Sequence, residues 1–254
     1  MKIERKEKVV HRIVQGDCLE KMAAIPSQSI DFICSDFPYN ISNNPGLTTR
    51  WKKVVKADFW EWDKFESQDM FLKFVFDVCK EYKRILKKKA SMVLFFSYRQ
   101  AGWIWYELER KWLFTFRTPI IFNKNNPQPH YRKNGFRSCY EMGIWLVNDD
   151  AKFSSPKTFN FLEQKEMTNV MNYYIGNKMN KQTSHPTEKP ENLTQRLIEI
   201  FTNKWDIVLD SFGGWWTTGV AAYKCDRNSI TIEKEDEFIK IISDRQKRVE
   251  RMKK

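Results

Sequence analysis

Short apolar runs rich in β-branched and aromatic residues alternate along this chain with stretches whose apolar positions recur at helical spacing. That alternation constrains the fold more than any other feature. Strands separated by helix-length segments pair in parallel, and such a sheet needs helices on both faces. The expected strands are Val9–Val14, Ile30–Ser35, Ser91–Ser97, Thr115–Asn123, Glu141–Val147, Ile207–Ser211 and Ser229–Glu233. Over Gln68–Leu86, residues Phe71, Phe74, Val75, Val78, Tyr82, Ile85 and Leu86 form one stripe of a core-facing helix. Helices are also expected over Glu191–Thr202 and Glu235–Met252. Asn40–Phe65 and Asp149–His185 show no sustained period, and loops of that length inside a compact domain are usually functional. Without repeats or low-complexity linkers, the 254 residues read as a single α/β domain carrying an insertion.

Charge narrows the partners. Lysine and arginine number 44 against 32 acids, a net charge of +12, which favours encounter with polyanions. Part of it, the run Arg245–Lys254, reads as solvated helix surface. No apolar run is long enough to span a bilayer, and Met1–Lys6 is not followed by the apolar run of a secretory signal. The five cysteines are scattered without a Cys-x-x-Cys pair, and the three histidines stand apart from them. Neither a metal site nor a disulfide framework is expected, and a reducing cytoplasm is.

Three segments carry chemistry. Ser35-Asp36-Phe37-Pro38-Tyr39-Asn40 directly follows an apolar strand, where ligands of open α/β sheets bind. A carboxylate, a rigid turn and an aromatic ring suit an exocyclic base amine, whose lone pair is delocalised into its ring. Accepting both amine N–H bonds returns electron density to nitrogen, and the base must leave its duplex to reach such a pocket. Further on, the strand Ile207–Asp210 enters the glycine loop Phe212-Gly213-Gly214, and a helix opens at Thr217 and Thr218. The next strand ends in Glu233, so a nucleotide-like cofactor would meet free N–H groups and a ribose-binding acid. Thirdly, His185-Pro186-Thr187-Glu188-Lys189-Pro190 leads into a helix, with Thr187 as a candidate cap.

In this order the segments resemble the β-class amino-methyltransferases of restriction–modification systems and their phage and orphan relatives. The likeness spans nearly the whole chain: Gly16–Glu20, Asp36–Tyr39, His185–Pro190, Val208–Gly219 and Arg227–Glu233 match family motifs. It implies a Rossmann-like, mainly parallel sheet with helices on both faces and a circularly permuted motif order. It further implies S-adenosyl-L-methionine as cofactor and double-stranded DNA as substrate, with adenine N6 favoured over cytosine N4. Asp36, Phe37 and Pro38 would form the catalytic turn, its carboxylate and the Phe37 carbonyl polarising the amine while Tyr39 stacks on the flipped base. Asp17, Thr187, Lys189, Asp210, Phe212, Gly213, Gly214, Thr217, Thr218 and Glu233 would surround the cofactor. A target-recognition insertion would occupy about residues 123–185, with Lys124, Asn126, Gln128, His130, Tyr131, Arg132 and Lys133 toward DNA. A homodimer and a companion restriction endonuclease occur among such relatives.

Three positions depart from the family pattern. Phe37 replaces a proline and brings an N–H that needs a partner. Ser211 stands where proline is common, and Trp216 stands where the loop usually has glycine. The Trp216 ring either fills the space of the cofactor's ribose or methionine or turns away. The first outcome would leave a non-catalytic nucleic-acid-binding protein whose loop Trp215 and Trp216 block. A nicotinamide enzyme is a third alternative, though it leaves Asp36–Tyr39 without a role, and no residue distinguishes DNA from RNA.

Overall fold

The structure, a computed structural model, describes residues 9–39, 47–48, 54–55, 65–111, 114–130, 133–149, 155–175 and 189–252. In chain order β1 (His11–Gln15) runs into α1 (Cys18–Ala23), then β2 (Ile30–Asp36), and β3 (Leu47–Thr48) pairs with β4 (Val54–Val55) as a separate ribbon. Next come α2 (Gln68–Ile85), β5 (Leu86–Phe96), α3 (Tyr98–Arg110), β6 (Thr115–Lys124), β7 (Tyr140–Val147) and β8 (Val170–Tyr173). The chain finishes with α4 (Glu191–Phe201), β9 (Ile207–Asp210), α5 (Thr217–Lys224), β10 (Asn228–Glu233) and α6 (Asp236–Met252).

Among the described residues, eight strands form one sheet in the order β1-β10-β9-β2-β5-β7-β6-β8. All neighbours are parallel except β7, which runs antiparallel to β5 and β6. The central strands are apolar through their middles, Phe32–Cys34 in β2, Met92–Phe96 in β5 and Ile207–Leu209 in β9, because both faces are covered. Ile33, Met92, Leu94 and Phe96 join one core with α2 and α3, while Phe32, Cys34, Val93 and Phe95 join the other with α4 and α5. Each such side chain contributes about 1.5–3 kcal/mol by leaving water. A charge at Ile33, fully buried in the middle of β2, would break that packing.

Local chemistry sets the helix ends. Ser67 accepts the Met70 N–H and starts α2, whose buried stripe includes Phe71, Val75, Val78, Tyr82 and Ile85. Leu86 then turns extended, so the helix passes into β5 without a loop. The expected strand began at Ser91, yet β5 already runs through the three lysines after Leu86. Lys87 is held there by an ion pair with buried Asp31. The α3 helix was not expected: Tyr98–Arg110 holds Gly102 and several aromatics, and its buried stripe is only Ala101, Ile104 and Leu108 with Gln100. Within 123–185 the chain supplies β7 and β8 to the sheet, and the expected strand Glu141–Val147 is there.

Between β2 and β9 the chain's course divides. From β2 it builds toward β5, β7, β6 and β8, whereas β9, β10 and β1 lie on the other side. The crevice beyond the carboxyl ends of such a strand pair is where open α/β sheets bind ligands. Here those ends are Asp36 and Asp210.

Candidate active site

Asp36 closes β2, and Phe37-Pro38-Tyr39 turns away from the sheet edge. The Phe37 N–H donates to the Phe95 carbonyl at 3.2 Å, so the hydrogen absent from proline has a partner. Its ring is buried against Phe96 and Phe212, with centroids 4.6 and 4.7 Å away. Packing therefore fixes a turn that proline would fix covalently. The Tyr39 hydroxyl donates to Asp36 Oδ1 at 2.7 Å, and Gln100 donates to the Tyr39 carbonyl at 3.0 Å. Lys189, just before α4, places its Nζ 2.7 Å from Asp36 Oδ2, 3.1 Å from the Tyr39 oxygen and 2.9 Å from Glu141 Oε2.

Charges in this cluster set one another. Burial opposes the Lys189 ammonium, but Asp36, Tyr39 and Glu141 hold it protonated well above the usual range. Burial pushes the Asp36 carboxyl upward while Lys189 pulls it back. Burial would raise Glu141 too, yet Lys189 and Lys124 bring it down to about 2. Burial and then Asp36 raise the Tyr39 phenol, which stays a donor.

The glycine loop follows β9. A Cβ on Gly213 would lie 2.4 Å from Thr231 Cγ2, so the loop crosses β10 where only glycine fits. Gly214, at φ +43, donates its N–H to Glu233 Oε2 at 2.7 Å. The N–H groups of Lys234 and Glu235 donate to Glu233 Oε1 at 2.7 and 2.8 Å, and burial still raises that carboxyl above its usual range. Trp216 adopts the left-handed conformation, φ 60 and ψ 30, at the start of α5. Its ring is 1% exposed, packs with Val220 and Ile242, and donates Nε1–H to Thr231 Oγ1 at 3.1 Å. Space for it exists because residue 219 is glycine, whose Cβ would otherwise stand 1.8 Å from Trp216 Nε1. The ring therefore turns away from the cavity, the second of the two outcomes that the sequence left open for Trp216. Trp215 is the tryptophan that faces the cavity, edge-on to Phe238 at 5.5 Å.

Both regions line one cavity of about 690 Å³, within the range of small-molecule sites. Asp36–Tyr39, Lys189 and Glu141 line it, as do Gly16, Asp17, Asp210–Trp215, Thr217, Thr218 and Glu233. Ser35 joins the two regions: it donates to Asp210 Oδ1 at 3.1 Å and accepts the Ser211 N–H at 3.0 Å. The Ser211 hydroxyl meets that of Tyr82, so both polar groups that proline would lack are bonded. Burial pushes the Asp210 carboxyl up to about 7. Asp17 caps α1, accepting the Leu19 and Glu20 N–H groups at 2.9 and 3.3 Å.

The residues expected toward DNA scatter in placement. Lys124 points inward, 2.9 Å from Glu141 Oε1. Asn126 bonds the backbone of Ile175 in both directions, at 3.0 and 2.6 Å. Gln128 and Lys133 are exposed and His130 is half-buried. Tyr131, Arg132 and Thr187, like most of Asn40–Phe65, lie outside the described residues. Sequence reasoning missed Glu141, although an acid beside the apolar run Met142–Val147 was a visible signal. It also missed Ser35 as a link and Phe238 as a cavity wall.

A Rossmann-like sheet whose Asp-x-Pro-Tyr turn and glycine loop share one cavity defines a methyltransferase. The chain belongs to the DNA methylase family of N6 and N4 type, whose family model matches residues 30–244. It is a DNA methyltransferase. It is 31% identical to the DNA adenine methyltransferase YhdJ of Escherichia coli (strain K12), over 90% of this chain and 80% of that protein. It is also 31% identical to the type II methyltransferase M.HinfI of Haemophilus influenzae, over 93% and 68%. Among solved structures, the M1.HpyAVI–SAM complex superposes with a TM-score of 0.66 at 26% identity, covering 93% of this chain and 99% of that one. The cytosine-N4-specific PvuII DNA methyltransferase shares the fold, with a TM-score of 0.70 at 19% identity over 94% and 88%.

Proposed function

We propose that this protein transfers a methyl group to the exocyclic N6 of an adenine turned out of duplex DNA. The observation that carries the reading is the single cavity into which the Asp36 carboxylate and the glycine loop both open. The relatives named for adenine and for a type II system support adenine as target and a sequence-specific site. The net charge of +12 supports a polyanionic substrate, and buried thiols at Cys18, Cys34, Cys79 and Cys225 suit a reducing cytoplasm.

The residues present fit S-adenosylmethionine. Gly214 meets nothing nearer than 3.9 Å at its Cβ position, and the Trp216 ring lies elsewhere. Glu233 would take the ribose hydroxyls, with Trp215, Phe238 and Phe212 as apolar walls and Asp210, Thr217 and Thr218 beside them. When bound, this cofactor supplies a sulfonium-activated methyl group: its C–S bond breaks as the C–N bond to the base forms. Asp36 and the Phe37 carbonyl accept the two amine N–H bonds, which makes the nitrogen lone pair available. One of those protons leaves as the methylated nitrogen returns to neutrality, and Asp36 stands beside it. Tyr39, tied to Asp36 and Lys189, offers its ring to the base. Target selection is assigned to 123–185, where Ser138 and Tyr140 line the cavity and Gln128 and Lys133 reach solvent.

The test is to incubate the protein with methyl-labelled S-adenosylmethionine and mixed-sequence duplex DNA, then digest to nucleosides and separate them. Labelled N6-methyladenine is expected. Labelled N4-methylcytosine would move the target to cytosine, and a folded protein that labels nothing would overturn the reading.

A further inference from the structure

We propose that Glu141 is a positioning residue of the methyl transfer: by sharing the Lys189 ammonium with Asp36, it stops that ammonium from quenching the Asp36 carboxylate as an acceptor for the target amine. This rests on the reading of the protein as an amino-methyltransferase.

The geometry is a ladder of alternating charge across four elements. Asp36 at the end of β2 meets Lys189, and Lys189 meets Glu141 on β7. Glu141 in turn meets Lys124 on β6. Tyr173 on β8 completes the far end, its hydroxyl donating to Glu141 Oε1 at 3.3 Å. Lys189 and Glu141 are mostly sheltered, with side chains 11% and 23% exposed, so their charges act on one another much more strongly than in water. Lys189 donates to Asp36 Oδ2 at 2.7 Å and stands at ion-pair distance, 2.9 Å, from Glu141 Oε2.

That shared ammonium has a chemical consequence. An ammonium held by Asp36 alone would draw its negative charge away from the incoming amine. With Glu141 also attracting it, the ammonium orients Asp36 and leaves it a stronger acceptor. The two carboxylates Asp36 and Glu141 balance the two ammoniums Lys189 and Lys124 within the ladder, so the ladder adds no excess positive charge against the cation that forms on nitrogen during transfer. The groups facing Asp36 are Tyr39 of its own turn, Lys189, Glu141 of β7, and Asp210 of β9. Those facing Glu141 are Lys124, Lys189 and Tyr173. Glu141 thus raises Asp36, and Lys124 tempers Glu141.

The experiment measures kcat against pH for the wild-type enzyme, Glu141→Gln and Lys124→Gln, with thermal melting as the control for folding. Glu141→Gln is expected to lower kcat at neutral pH roughly ten-fold. Its acid limb should move down by about one pH unit, because Asp36 faces the full charge of Lys189. The KM for S-adenosylmethionine should stay near wild type. Lys124→Gln should move the acid limb the other way, upward, and carries the test if Glu141→Gln does not melt cooperatively. Opposite movements cannot come from loosened packing alone. Acid limbs that coincide with wild type, or that move in the same direction, overturn the inference while leaving the methyltransferase reading intact. A wild-type enzyme that methylates nothing overturns that reading and this inference with it.

Discussion

The turn after β2 and the loop after β9 lie side by side at the same crevice, and each carries a bulky aromatic where its family relatives have a small or rigid residue. At the first, Phe37 keeps an ordinary backbone: its N–H finds the Phe95 carbonyl and its ring enters a ready cluster of aromatics. At the second, Trp216 keeps the left-handed backbone that suits glycine, at φ 60. Such a conformation strains a bulky residue by about 1–3 kcal/mol and persists only where its surroundings over-determine it. Those surroundings are specific: a hydrogen bond to Thr231, burial against Val220 and Ile242, and a missing side chain at Gly219. Packing can replace a proline locally. Replacing a left-handed glycine takes cooperation from residues on two other elements.

The sharpest way to separate the two regions is Asp36→Ala. Methylation should fall by roughly 10³-fold, while cofactor affinity measured by calorimetry stays within a few-fold. Equal loss of both would erase the distinction between a chemical turn and a binding loop. Next in size, Phe37→Ala should destabilise the fold by about 3–4 kcal/mol in denaturant titration. Phe37→Pro should also destabilise it, since it removes the ring and the bond to Phe95 together; a gain in stability would mean that packing does not fix this turn.

For the loop, Gly219→Ala should cost about 1–3 kcal/mol by overpacking against the Trp216 ring. In a Trp216→Gly background the same change at 219 should cost little, and additive effects in this double-mutant cycle would show that the two positions do not touch. By itself, Trp216→Gly should leave cofactor affinity unchanged, because the ring faces away from the cavity; tighter binding would place the ring in the cofactor's way. The last effect is a pH dependence at the seam between the regions. The Asp210 carboxyl sits at about 7 against a usual 3.8, so the fold loses stability as pH rises from about 4 to about 7 and no more above that. Asp210→Asn keeps an acceptor for the Ser35 and Phe212 donors without the charge. Its melting temperature relative to wild type should rise by roughly 5–10 °C between pH 4.5 and pH 8. A difference independent of pH would show that Asp210 is not held protonated.

Much of this arrangement was legible in the sequence. The strands β2 and β9 announce themselves by short apolar runs suited to burial on both faces, and β10 by its β-branched Ile230-Thr231-Ile232; Asp36, Gly213 and Glu233 follow at their ends. The α3 helix was hidden by its own composition, since aromatics around Gly102 blur the helical period. The four-residue strand β8 is too short to show alternation. The inward direction of Lys124 and the seat of the Trp216 ring depend on partners distant in sequence, Glu141 and Thr231. No local pattern encodes such partners.

The fit of Trp216 over Gly219 also bears on which variants of this loop can persist. A side chain at 219 would collide with the tryptophan in its present seat, so residues 216 and 219 form one unit of substitution. Each of the two residues sets how well a change at the other is tolerated.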